Sequence, residues 1–511
     1  MDTKLNGLYA PSLTNYQRRQ TIEVSIGEVP LGGNNPIRIQ SMTTVDTMDT
    51  LGSVEQSIRM IEAGCEYVRI TAPSVKEAAN LENIKKELKR RGYNTPLVAD
   101  IHFTPNAAEL AARLVEKVRI NPGNYADKKR FEIIDYTEVA YAEELERIRD
   151  RFLPLLKICK EYGTAMRIGT NHGSLSDRIM SRFGDSPIGM VESALDFIRI
   201  AEDEGFYNIV VSMKSSNPQV MVQAYRLLVQ KLVEGGHKAY PLHLGVTEAG
   251  EAEDGRVKSA VGIGTLLEDG LGDTVRVSLT EEPEFELPVA KSLVDRYNNR
   301  VGHTANPEMV SYPINPFQFT RRETIEVRNF GSSNVPRVIA DFSGLGRAIE
   351  IADLKAIGLH YLPALDKWAL SDNGADYIYS GSNPISFMVA TGSREIVDFA
   401  AWKLIKDTTH VYPLLNLEEF NEVSTPHSEL NFLKVNDLDL TKELIEKIAS
   451  FNNLVLWLET ENAHAMPTLR AAFVKFIEQN CKLPVIVARS YDGTNEEETQ
   501  LFAATDFGGL F

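Results

Sequence analysis

Short β-branched runs in the first half of the chain repeat one division of labour between their two faces. In Tyr67–Thr71, Arg69 and Thr71 alternate with Val68 and Ile70. In Leu97–His102, Asp100 and His102 oppose Ala99 and Ile101; in Lys117–Pro122, Arg119 and Asn121 oppose Val118 and Ile120. Arg167, Gly169 and Asn171 oppose Met166 and Ile168, and Ser212 and Lys214 oppose Val211 and Met213. His243 and Gly245 oppose Leu242 and Leu244, and Arg276 and Ser278 oppose Val275 and Val277. Successive side chains of a strand point to opposite faces, so each run carries one apolar and one polar face. Arginine forks grip phosphate oxygens in pairs, and lysine adds a point charge. Arg69, Arg119, Arg167, Lys214 and Arg276 outnumber Asp100 and Glu248. That surplus fits a diphosphate or a bisphosphorylated compound; the competing reading is a set of internal salt bridges that only stabilises the fold. Glu248, in Val246-Thr247-Glu248-Ala249-Gly250, has the chemistry to exchange a proton with a substrate oxygen or to pair with a neighbouring arginine. His102 beside Asp100, and His243, read equally as catalytic groups or as satisfied core histidines.

The elements that must hold these residues alternate strand and helix. Strands are expected at Ile37–Met42, Tyr67–Thr71, Leu97–His102, Lys117–Pro122, Ala165–Asn171, Asn208–Lys214, Pro241–Glu248 and Thr274–Leu279. Between them lie helical patterns such as Lys76–Arg91 and Pro218–Glu234, and a long one over Lys128–Tyr162, expected to break near Pro154. Eight such repeats predict an α/β fold, a (β/α)8 TIM barrel over residues 1–300, with the polar faces inside and the site at the C-terminal ends of the strands. A hairpin from Thr21–Gly27 back through Leu31-Gly32-Gly33 is expected to cap the barrel floor.

Proline-rich Val301–Phe319 reads as a linker. Beyond it, Tyr16-Gln17-Arg18-Arg19-Gln20-Thr21-Ile22-Glu23-Val24 recurs as Phe319-Thr320-Arg321-Arg322-Glu323-Thr324-Ile325-Glu326-Val327, identical at six of nine positions. The repeat predicts a second, incomplete TIM-barrel-like βα domain over 320–511. Strands are expected at Arg337–Phe342, Asp376–Ser380, His410–Leu415, Leu430–Val435, Leu454–Glu459 and Leu483–Arg489. Asp506–Phe511 reads as strand-like, and the chain as one that continues in a longer parent. The formal net charge of −17 argues against nucleic acid as the main partner. No apolar run is long enough for a membrane span. Cys65, Cys159 and Cys481 are far apart, which fits reduced thiols and a cytoplasmic location. There is no Walker loop, dinucleotide fingerprint or Cys-x-x-Cys pair. Gly262 and Gly264, inside a helical pattern, are expected to permit close packing.

The stretches Gln40-Ser41-Met42-Thr43, Leu97-Val98-Ala99-Asp100-Ile101-His102-Phe103, Val118-Arg119-Ile120-Asn121-Pro122-Gly123-Asn124, Met166-Arg167-Ile168-Gly169, Leu242 through Gly250 and Gly272 through Leu279 occur in order across most of residues 20–290. In these the chain resembles the 4-hydroxy-3-methylbut-2-enyl diphosphate synthase family of non-mevalonate isoprenoid biosynthesis, in its three-domain form. The resemblance implies a barrel that holds 2-C-methyl-D-erythritol 2,4-cyclodiphosphate. It also implies an oxidoreductase that opens and dehydrates this ring with two electrons from ferredoxin or flavodoxin. The candidate substrate-binding set is Gln40, Arg69, Arg119, Asn121, Arg167, Asn171, Lys214, His243, Arg276 and Ser278; the candidate catalytic residues are Glu248, Asp100 and His102. The family's 4Fe-4S cluster sits in a C-terminal domain, on three cysteines and a glutamate. This sequence departs from the family there, since its three cysteines do not form that pattern, so no metal ligand is expected in it and the chain alone is expected to bind without turning over. A pteroate-synthase-like barrel transferase, or a binding scaffold, is the alternative.

Overall fold

The computed structural model describes residues 9–101, 103–126, 136–298, 300, 306, 309, 312–372 and 374–510. The chain divides into two compact units, Met1–Phe319 with Tyr491–Phe511, and Thr320–Ser490. The first contains eight parallel strands: β1 Arg38–Met42, β2 Tyr67–Thr71, β3 Leu97–Asp100, β4 Lys117–Ile120, β5 Ala165–Asn171, β6 Ile209–Lys214, β7 His243–Leu244 and β8 Thr274–Val275. Each pairs with its sequence neighbour, and β8 pairs with β1. The ring closes between β6 and β7, where Val211 bridges Leu242 and the Val211 N–H donates to the Pro241 carbonyl at 2.9 Å.

The apolar faces do what alternation demands. Val68, Ile70, Val118, Ile120, Met166, Ile168, Val211, Leu244 and Val275 join the buried core between strands and helices. Below the polar interior lies a separate apolar floor. Tyr67, Val98, Ala165 and Val210, each two residues before a polar interior position, pack with Val24, Ile26 and Leu31 of the N-terminal hairpin. The hairpin is pinned by a Val24–Leu31 bridge and by the Tyr67 hydroxyl donating to the Val29 carbonyl at 2.7 Å. Water therefore meets the interior from one end.

Several boundaries differ from the sequence reading. β3 stops at Asp100, β7 spans two residues and β8 ends at Val275, because the backbone leaves the ladder to form the loops of the mouth. The long helix runs unbroken from Glu138 to Tyr162 with Pro154 inside it; Phe152, Leu155, Leu156, Ile158 and Cys159 are buried and hold the helix together despite the lost hydrogen bond. The expected linker over 301–319 falls partly outside the described residues; within it Met309, Tyr312 and Phe317 pack on Tyr9, Ala10 and Leu13.

The second unit has β9 Ile339–Asp341, an antiparallel hairpin of β10 Leu359–Leu362 and β11 Lys367–Leu370, then β12 Tyr377–Gly381, β13 Arg394–Asp398, β14 Val411–Leu415, β15 Asn431–Asn436, β16 Leu454–Glu459 and β17 Val485–Ala488. Apart from the hairpin, these form one parallel sheet in the order β9, β12, β13, β14, β15, β16, β17, the neighbour order of the barrel. Among the described residues β17 does not pair back to β9, so the sheet is a curled, open half-barrel.

The sequence echo is a structural repeat. Val327 bridges Phe330 as Val24 bridges Leu31. Gly32 and Gly331 both have positive φ, and a β-carbon on either would lie 2.7 Å from a proline ring, Pro241 or Pro484. Arg337 donates to the Asn329 carbonyl as Arg38 does to that of Pro30.

The C-terminal segment corrects two expectations. It is a helix, Glu496–Gly508, started by an Asn495–Glu498 capping box, and it belongs to the barrel unit rather than to the half-barrel. It lies against helix Ala252–Glu268, where a β-carbon on Gly264 would sit 2.2 Å from Thr505 Cγ2. Buried Asp506 pairs with Arg296 at 2.5 Å. Gly264 thus permits close packing, as the sequence suggested. Gly264→Val should force this helix away and cost roughly 1–3 kcal/mol. Thermal melting and hydrogen exchange over residues 496–508 measure it; unchanged protection there would show that the contact does not hold the helix.

Candidate functional site

The strand register sets the site. Asp100 on β3 lies opposite Arg119 on β4, and Arg119 opposite Arg167 on β5. On the next pair Asn171 lies opposite Lys214. Neighbouring like charges on one face of a sheet repel, so Arg119 beside Arg167 needs a counter-charge. Asp100 supplies part of it. Fully buried, it pairs with Arg69 through one oxygen and with Arg119 Nη1 through the other at 3.2 Å. Arg119 Nη2 also donates to the Gly169 carbonyl at 3.0 Å and to Asn171 Oδ1 at 3.2 Å. Two glycines make room for the long side chains. A β-carbon on Gly169 would lie 2.9 Å from Arg119 Nε, and one on Gly245 would lie 2.7 Å from Lys214 Nζ.

Together Arg69, Arg119, Arg167, Asn171, Lys214, Val246, Thr247, Arg276 and Ser278 line one cleft at the mouth. Seven of the ten expected binding residues line this cleft: Arg69, Arg119, Arg167, Asn171 and Lys214 from β2, β4, β5 and β6, and Arg276 and Ser278 just after β8. Gln40, Asn121 and His243 are also buried but do not line it. Glu248 stands exposed on the loop after β7, next to Thr247, with a left-handed backbone at φ 52°. Few residues other than glycine adopt that conformation without being held there. His102 lies outside the described residues.

Three groups escaped the sequence reading. Lys117, two residues before Arg119 and therefore on the same face, is fully buried beneath it; the alternation itself was the available signal. Ser212 was read on the polar face but not as part of the site. Glu286, on helix Pro283–Asn298, accepts from the Ser41 hydroxyl at 2.8 Å and the Leu279 N–H at 2.9 Å, with Arg276 Nε 3.8 Å away. Nothing local in the sequence points to it. The charge balance thereby changes: Lys117 joins the cations, and Glu286 replaces exposed Glu248 as the second interior carboxylate.

The electrostatics are those of a site short of negative charge. Burial lowers Lys214 well below the usual lysine range, and Arg167, Arg276, Arg69 and Arg119 add to the shift. Burial does the same to Lys117, helped by Arg167 and Arg69. It also holds His243 well below the usual histidine value, with Arg167 and Lys214 adding. Burial, then Arg69 and Arg119, likewise disfavours the Arg167 charge, yet a guanidinium stays protonated, so the repulsion is carried by the fold. Arg167 Nε and Nη1, Arg69 Nε, Arg276 Nε, Ser212 Oγ and both His243 ring nitrogens are buried without a hydrogen-bond partner among the described residues. Buried donors are normally satisfied. An anion in the cleft would satisfy several of these and offset the repulsion.

The residues do not fit an iron–sulfur cluster. Among the described residues no three His, Cys, Asp or Glu side chains converge as a metal site. The three cysteines are free and buried, two in the barrel unit and one in the half-barrel. Burial pushes Cys65 and Cys159 up to about 12, whereas cluster ligands are thiolates.

Because the free protein disfavours the charged forms of Lys117 and Lys214, an anion should draw protons into the site. Each lysine has a depressed value that a bound anion raises, so uptake occurs at pH values between the two. Calorimetric titration with sulfate, which does not itself titrate near neutrality, should show an enthalpy that depends on the buffer with the sign of proton uptake. Proton release would contradict the electrostatic account.

Comparison with known proteins covers both units of the chain. The GcpE TIM-barrel domain matches residues 21–291. The 4-hydroxy-3-methylbut-2-en-1-yl diphosphate synthase (flavodoxin) of Parabacteroides distasonis is 46% identical over 497 residues, covering 97% of this chain and 77% of that protein. The protein of the same name from Leptospira interrogans is 59% identical over 324 residues, covering 63% of this chain and 49% of that protein. Identity of this level across nearly the whole chain, barrel and half-barrel alike, means that the chain belongs to the 4-hydroxy-3-methylbut-2-en-1-yl diphosphate synthase (GcpE) family.

Proposed function

We propose that the cleft binds the diphosphate bridge of 2-C-methyl-D-erythritol 2,4-cyclodiphosphate. In this reading the chain is the substrate-holding part of a flavodoxin-dependent oxidoreductase that opens and dehydrates the ring to 4-hydroxy-3-methylbut-2-enyl diphosphate. The observation that carries the reading is the convergence of Arg69, Arg119, Arg167, Lys214 and Arg276 on one cleft, with buried donors that have no partner among the described residues. An anion with several acceptor oxygens suits a set that has a surplus of positive charge and free donors. The relatives' names give the product and the flavodoxin; the side chains described above take only the parts that need no redox group.

Each residue then has a role. Arg69, Arg119, Arg167 and Lys214 neutralise the phosphate oxygens, and Arg276 with Ser278 holds the far side. Asp100 occupies two guanidiniums, so it acts as a positioning residue that fixes the forks of Arg69 and Arg119. Asn171 orients Arg119. Glu248, held in a strained backbone beside the cleft, exchanges a proton with the departing oxygen; strain of this kind persists where the surrounding structure imposes it. His243 stays neutral and donates or accepts a hydrogen bond beneath the anion. The half-barrel serves as a spacer without an anion site. By the register of the repeat, Arg69, Arg119 and Arg167 correspond to Tyr379, Leu414 and Phe432.

Titration of the chain with the cyclodiphosphate should give one site per chain. Arg167→Met should weaken it by roughly 2–5 kcal/mol, the usual loss for a desolvated charge pair. The unliganded variant should melt no lower than the parent, since a buried repulsive charge is gone. Glu248→Gln should leave binding unchanged. No binding by the parent chain would sink the substrate assignment, and intact binding by Arg167→Met would remove Arg167 from the site.

A further inference from the structure

Lys117 sits one pleat below Arg119, where a barrel floor normally takes an apolar side chain. On the neighbouring strands it faces Val98 and Ala165. Its Nζ donates to Gln40 Oε1 at 3.2 Å and lies 4.5 Å from the centre of the Tyr67 ring. Among the described residues the charged or titratable groups around it are Arg69 and Tyr67 on β2, Arg167 on β5 and His243 on β7, none of them a carboxylate. An ammonium buried without a counter-ion costs several kcal/mol, so the position needs a reason.

The half-barrel supplies an internal control. Pairing Tyr67 with Tyr377, the registers of the two sheets run in step at the floor positions from β1 and β9 through β6 and β16, with an irregularity in β12 only above Tyr379. Lys117 then matches Tyr412, Gln40 matches Ile339 and His243 matches Ile486. Tyr412 belongs to the apolar cluster on the inner face, with Ile339 and Ile486 packed against it. Where the frame holds no anion site, both members of the Lys117–Gln40 pair are replaced by groups that pack as floor. The pair is a property of the site and not of the fold.

A side-chain amide has one acceptor and one donor end. Lys117 occupies the acceptor of Gln40, while Gln40 Nε2 is buried with no partner among the described residues. Rotating the amide by half a turn would set its N–H2 against the ammonium, two donors face to face, so the lysine in its charged form fixes which end is free. Gln40 pairs with Tyr67, one layer beneath the cleft that Arg69 lines; resting on the reading of the cleft as a diphosphate site, we propose that Lys117 is a positioning residue that locks the Gln40 amide with its N–H2 free to donate upward to the deepest oxygen of a bound anion. The depressed charge of Lys117 in the free protein fits this role, because an anion nearby stabilises the ammonium and strengthens its hold on Gln40.

The test uses the full chain, inorganic diphosphate as the probe, calorimetry for affinity and thermal melting for stability. Lys117→Met and Gln40→Leu should each weaken binding about tenfold, the loss expected for one hydrogen bond to a charged group. The double variant should bind no worse than Gln40→Leu alone. Lys117→Met should melt no lower than the parent, where a merely structural lysine would lower stability and affinity together. Gln40→Glu retains a partner for Lys117 but removes the N–H2 donor, so it should fold with undiminished stability and lose affinity. Parent-like affinity in Lys117→Met or Gln40→Glu, or fully additive losses in the double variant, would overturn the proposal. Absence of diphosphate binding by the parent chain would instead overturn the anion-site reading beneath it.

Discussion

Burying more positive than negative charge inside a closed barrel is the constraint on which the rest of this structure depends. Arg69, Arg119, Arg167, Lys117, Lys214 and Arg276 share an interior with Asp100 and Glu286. Each cation gives up water, and each neighbour of like sign raises the cost. The fold withstands this because the charges stand on a continuous apolar shell. One layer of branched side chains faces the helices, and an apolar floor with the N-terminal hairpin lies beneath. Stability comes from those layers, and the cations are held in place above the apolar floor.

The repeat separates what the frame requires from what the site requires. Both units keep the arginine that ties β1 or β9 to its turn, the glycine packed against a proline, and the bridge that closes the turn. These are backbone necessities. The interior differs. At register positions where the barrel has Arg167, Ser212 and Lys214, the half-barrel has Phe432, Trp457 and Glu459. The one interior charge retained is the aspartate, Asp100 or Asp398. Asp398 accepts from the Tyr379 hydroxyl, which stands where Arg69 stands in the barrel. The two frames thus share packing rules and differ in the charges they carry inside.

The side chains in the barrel divide into groups that line the cleft and groups that hold those groups in place. Asp100 acts on Arg69 and Arg119, Glu286 stands beside Arg276, and Lys117 acts on Gln40. Such pairs spend the few available counter-charges on geometry. Neutralising every cation would have left nothing for a phosphate to bind. The excess of donors without partners is therefore consistent with the depressed values of Lys117, Lys214 and His243.

Much of this was legible in the sequence, because strand alternation is a local property. A residue two places along a strand must share its neighbour's face, so Arg69, Arg119, Arg167, Lys214 and Arg276 declared their common interior without any structure. The same rule extended to Lys117, and the repeated Arg-Arg-x-Thr-Ile-Glu-Val segment foretold the second half-barrel. Contacts between residues distant in the chain were not legible, since periodicity says which face a side chain occupies but not what meets it there. Glu286 reaches Arg276 from a helix, Asp100 divides itself between two strands, and the last helix returns to Gly264 and Arg296. Strand ends escaped as well, because Glu248 looks like the end of an apolar run until the backbone turns out of the ladder at β7. The sequence determined the faces, the repeat and the sign of the site. Tertiary structure decided which charges are paired, which are left free and how deep each lies, because those depend on packing that brings separate strands and helices to one place.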